Sequence, residues 1–205
     1  MPRALTALTS MQELKVEAIF TRAAIMADPD AADLVGQTDG WLEGVQVLDA
    51  QMLENLVQRA IRDAERSVAN HRLDFTCLRF SDSLLLAVNK DRNAVRWKRY
   101  YDEAPTRFVE QPLEDQVKKV VGWLTTQEPL LEPHRLELVK WSGAAQKALD
   151  KDEASKQATA ELNLAREAHA KELTRLRDAL HRLLAARADE RGLDRRWADA
   201  FFRQG

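Results

Sequence analysis

A chain of 205 residues with 45% apolar and 31% charged side chains can bury a sizeable core, and that much charge excludes a membrane-embedded protein. Seven glycines and six prolines are too few for a β-sandwich of many tight turns or for a disordered linker, and the bias toward Ala, Leu, Glu, Lys and Arg favours helix. The net charge of −2 hides an uneven layout: seven acidic and no basic residues from Ala23 to Gln58, six basic against three acidic from Lys90 to Arg107, and ten basic against seven acidic from Arg166 onward.

That layout lets an acidic first third pair with a more basic remainder, within one chain or across a dimer. The longest apolar run, Leu84 to Val88, is far short of the ~20 residues a membrane span needs. Arg3 is followed by Thr6, Thr9, Ser10, Glu13 and Lys15, which is no secretory pattern. The single cysteine, Cys77, allows neither an internal disulfide nor a cysteine-based zinc site and reads as a buried thiol. A cytoplasmic location is the expectation.

In chain order, Ser10 and Glu13 have capping-box spacing and open a helix that Asp28-Pro29 closes. Asp28 in turn suits the start of a short helix ending at Gly36. Gly36, Gly40 and Gly44 recur every four residues, but the polar residues between them read as a connector. Asp49 then caps a helix to about His71, with Leu53, Leu56, Val57, Ala60, Ile61, Ala64 and Val68 as its apolar stripe and Arg59, Arg62, Asp63 and Arg66 opposite. Residues 73–101 fit either more helix, which the helical neighbourhood favours, or a small β-hairpin turning at Asn89–Asn93.

Pro112 starts a helix with Leu113, Val117, Val120, Val121 and Leu124 on its buried face, and Pro133 starts another through Leu149. The longest helix is expected from about Asp152 to Arg191, with i,i+4 pairs Asp152–Lys156, Glu167–Lys171 and Asp178–Arg182. Gly192 breaks it and Asp194 caps a last short helix. The fold class is therefore all-α, a multi-helix bundle with one long C-terminal helix. It forms one domain over 1–205, or two helical halves of about 1–104 and 112–205.

No catalytic signature appears: no phosphate loop, no dinucleotide-binding glycine pattern, no nucleophile elbow and no His-Glu-x-x-His. Asn89-Lys90-Asp91 places its aspartate one residue too early for a guanine-reading motif. Asp178 and His181 share a helix face, but a carboxylate-bridged metal site needs Glu-x-x-His pairs, and the chain has none. No cofactor or metal is expected.

Two stretches suggest binding. Leu173, Leu176, Leu180 and Leu183 form a 3-4-3 seam, and Trp197, Phe201 and Phe202 lie just beyond Gly192. Together they point to a protein partner or a homo-oligomer. Arg96, Trp97, Lys98, Arg99, Tyr100 and Tyr101 interleave cations with rings, as nucleic-acid binders do. The leading expectation is a non-enzymatic protein acting through protein–protein contact, as an adaptor, assembly subunit or self-associating structural protein. The alternative is a nucleic-acid-associated protein, and a site assembled from scattered carboxylates and histidines would leave no local signature.

Overall fold

The computed structural model describes residues 2–6 and 8–203. It is all-α, with no strand among those residues. The α-helices are α1 (Met11–Ala27), α2 (Trp41–Ala87), α3 (Val95–Lys98), α4 (Pro105–Phe108), α5 (Leu113–Leu124) and α6 (Glu132–Arg191). Three tighter 3₁₀ segments lie at Ala32–Thr38, Pro129–Leu131 and Arg195–Phe201.

Two helices are longer than their caps suggested. α2 begins at Trp41, just after Gly40 with φ of 78°, and runs 47 residues through Asp49 without a break. No proline lies between Pro29 and Pro105, so nothing removes a backbone donor along it. α6 fuses the two helices expected from Pro133 and Asp152 into one of 60 residues, ended by Gly192 with φ of 65°.

The hairpin within 73–101 does not form. Leu73, Cys77, Phe80 and Leu84 are spaced 4-3-4 and are all buried, so the helical period places them together in the core. The chain then turns through Asn89 and Lys90, both at positive φ (53° and 65°), into α3. Trp97, Tyr100 and Tyr101 reach the core from this short helix and the turn after it.

The chain divides into two compact units, residues 1–56 with 157–205 and residues 57–156. The first contains α1, Ala32–Thr38, the start of α2, the end of α6 and Arg195–Phe201. Ser10 and Glu13 close both hydrogen bonds of a capping box on α1. Leu14, Ile25, Val45, Leu173, Leu180, Leu184, Phe201 and Phe202 build the core. A Cβ at Gly44 would lie 2.8 Å from the His169 ring, so the imidazole would have to shift for any larger residue there.

Several charges inside the first unit are paired. Arg177 is fully buried and pairs with the buried Glu17 at 2.9 Å, while its Nη1 donates to the Arg3 carbonyl at 2.9 Å. The acidic segment meets cations of the same unit: Arg22–Asp39 at 2.6 Å, Lys15–Asp49, Arg187–Asp33 and Arg191–Asp30. The Trp197 indole donates to the Asp28 carboxylate at 2.8 Å.

The second unit contains the rest of α2, α3 to α5 and the start of α6 around an aromatic core. Phe80 lies 5.2 Å from Tyr100 and 5.7 Å from Trp123, and Phe108 stacks on Trp123 at 5.0 Å. Each such pair adds about 0.5–1.5 kcal/mol beyond area burial. The Tyr101 hydroxyl donates to the Cys77 carbonyl at 2.6 Å, which satisfies the one polar atom the ring brings inside. Cys77 is itself buried, and loss of solvent pushes its thiol well above the usual range.

Candidate functional site

Along α2 in the second unit, two apolar faces run side by side. The face with Ala69, Leu73, Cys77, Phe80 and Leu84 is buried in the aromatic core. The other consists of Val57, Ile61, Ala64, Val68 and Phe75, with His71 in the same line. It lies exposed: Val57 by 42%, Ile61 by 47%, Val68 by 54% and Phe75 by 50%. Its 4-3-4-3-4 spacing is that of a coiled-coil seam.

The polar side of the helix shows the reverse. Arg62 is only 9% exposed and pairs with Asp152 of α6 at 3.3 Å and with Asp63 at 2.8 Å. Arg62 is therefore covered beside Asp152 of α6, while the branched apolar side chains of the stripe stay exposed.

Beside the stripe a groove of about 610 Å³ opens between α2 and α6. Ile61, Ala64, Val68, Ala69, Trp141, Ala144 and Ala148 form its apolar lining, and Glu65, Lys147 and Lys151 its rim. Glu65 and Lys151 pair across it at 3.4 Å. Trp141 is half-buried, with the Lys140 ammonium 4.5 Å above its ring and the Arg72 guanidinium at 6.0 Å. Arg79 similarly covers Phe75 at 5.8 Å. The chemistry available is an apolar floor with a mostly cationic rim, which suits side-chain docking.

The residues singled out by sequence have other places. Leu173, Leu180, Phe201 and Phe202 are each 2% exposed or less, inside the core of the first unit. Leu176 and Trp197 are partly covered there, and Leu183 is 47% exposed. Leu173 and Leu180 of the seam are therefore occupied by their own chain, while Leu183 is not. Trp197, Tyr100 and Tyr101 of the two aromatic clusters also illustrate polar satisfaction: Tyr100 shares a hydrogen bond with Thr126 at 3.0 Å.

In the basic cluster, Trp97, Tyr100 and Tyr101 are buried and cannot stack on bases. Arg96 holds Glu128 through two guanidinium nitrogens, its Nε at 3.2 Å, and this bond keeps the Glu128 carboxyl below the usual range. Arg96, Lys98 and Arg99 are all exposed, and of the three only Arg96 is tied to Glu128.

A smaller recess of about 330 Å³ in the first unit is lined by Gln37, Asp39, Trp41, His169, Glu172 and Leu176 among others. Burial pushes the His169 imidazole below its ordinary value, and its Nε2 has no hydrogen-bond partner among the described residues. Among the described residues no three His, Cys, Asp or Glu side chains gather to hold a metal ion, and no helix is long and apolar enough to cross a membrane.

His71, Phe75 and Trp141 were missed as surface residues. A readable signal existed: one helix carrying two apolar stripes, 57-61-64-68-75 and 69-73-77-80-84, has more apolar surface than one core can cover. No protein-family model, no curated protein and no solved structure matches the chain.

Proposed function

We propose that this chain is a non-enzymatic helical protein that works by protein–protein contact, as an adaptor, assembly subunit or self-associating structural protein, and that the contact lies on the exposed α2 stripe of residues 57–75. The reading rests on one observation: the four large apolar residues of that stripe are 42–54% exposed while Arg62 of the same helix is buried. A regular apolar face of this kind marks an interaction surface in a water-soluble protein. We take the setting to be the cytoplasm, where a lone buried thiol stays reduced.

Covering the stripe and its flanks removes on the order of 500 Å² from water on this chain, or about 12 kcal/mol gross at ~25 cal/mol/Å². Association costs about 4–15 kcal/mol, so the net affinity is modest and concentration-sensitive. A photo-crosslinking residue at Ile61 or Val68, introduced in the native host, tests the assignment. It should yield protein adducts that the same residue at exposed Lys118 of α5 does not. Equal adduct patterns at both positions would sink the reading.

A further inference from the structure

Building on that proposed contact, we infer that the occupant of the stripe is a second copy of this chain, its α2 lying antiparallel on the first. The seam is self-complementary in that direction. Centred near residue 66, an antiparallel pairing sets Val57 opposite Phe75, Ile61 opposite His71 and Ala64 opposite Val68. Every layer then joins a smaller side chain to a larger one, or an apolar side chain to the lone polar one, and a two-fold axis repeats all three.

A parallel pairing does worse. It would place His71 on His71 and leave two facing alanines at Ala64 as a void. The flanks permit the antiparallel form: Arg72 falls beside Gln58 of the second copy, and Glu65, which meets its own counterpart, is already paired with Lys151 at 3.4 Å. Six seam positions over 19 residues, with their flanks, bury on the order of 1,000 Å² in total, the size at which specific interfaces begin. The adjoining groove adds Trp141 and Ala144, so the entering helix would meet both α2 and α6 of the second unit.

The intact chain should sediment as a monomer–dimer mixture over about 1–100 µM, the range a small interface implies. Ile61→Glu with Val68→Glu should abolish the dimer while circular dichroism stays unchanged. If that variant loses helix, His71→Leu carries the test instead, and it should tighten association about tenfold by removing the polar layer. Direction is read from Gln58→Cys and Arg72→Cys proteins, whose positions lie about 21 Å apart along the helix. A short bis-maleimide should link a mixture of the two and neither alone, with buried Cys77 silent.

A parent that stays monomeric at 200 µM (roughly, well above the range expected for such an interface) overturns the inference. So does a dimer that survives the double glutamate change, an affinity unmoved by His71→Leu, or linkage within each single-cysteine protein. Photo-adducts at Ile61 made only with a different protein, from a monomeric parent, would overturn the second copy and leave the protein-contact reading standing. No adducts at all would remove both.

Discussion

Two apolar helix faces, the leucine seam of α6 and the stripe of α2, look alike as sequence and end differently. Leu173 and Leu180 are covered by α1 and by Phe201 and Phe202 in the core of the first unit. Val57, Ile61 and Val68 have no such cover in the second unit, whose short helices gather around Phe80 and Trp123 instead. The seam followed by aromatic residues was the better candidate for a partner from spacing alone. Those very aromatics help cover Leu173 and Leu180, while Leu183 stays open.

The largest effect that would sharpen the contrast lies beneath the seam. Arg177→Met should cost the first unit about 3–5 kcal/mol, because it strands buried Glu17, and a shift in urea midpoint measures it. Arg3 and Arg203 stand 3.9 and 4.0 Å from the same carboxylate, which places the effect at the lower end. Next, Leu180→Ala should cost about 2–5 kcal/mol by opening a cavity, whereas Leu183→Ala, half exposed one turn further on, should cost under ~1 kcal/mol. Equal losses at the two positions would break the distinction between covered and open leucines.

On the stripe the ordering reverses. Ile61→Ala should change unfolding of the dilute chain by no more than ~0.5 kcal/mol, yet weaken association measurably by sedimentation. A loss as large as that of Leu180→Ala would mean the stripe is core after all.

The smallest effect is on pH. Burial lowers the imidazoles of both His134, helped by Arg79, and His169, so each binds its proton more readily in the unfolded chain. Their contribution is complete above the ordinary imidazole value near 6.5 and is lost as pH falls from there through the lower folded values. Thermal melting between pH 7 and 5 should show that decline, and His169→Gln should flatten it. A melting temperature that rises on acidification would contradict it.

Much of the local structure was legible because its causes are local. The Ser10–Glu13 box, the stop at Gly192, the Asp194 cap that accepts from the Arg196 amide at 2.7 Å, and the pairs Asp152–Lys156 and Glu167–Lys171 each depend on residues within one turn. Asp178–Arg182 differs, since Arg182 donates to the Asp178 backbone carbonyl. The all-α class followed from the same periodicity. The full lengths of α2 and α6 were also implicit, in the absence of any proline beyond the first turn, although Asp49 and Asp152 resembled starts: a capping residue inside a helix is tolerated when nothing breaks the ladder.

Periodicity determines which residues share a face; it holds no record of what that face meets. Whether Trp97, Tyr100 and Tyr101 offered rings to a nucleic acid or filled a core depended on Phe80, Phe108 and Trp123 arriving from other helices. Whether Arg62 was covered depended on Asp152, more than 80 residues away in the chain, meeting it from α6. Burial is a property of neighbours brought together by folding, and so the sequence by itself determined the helices and their stripes, while only the tertiary structure decided which stripes were covered and which was left exposed.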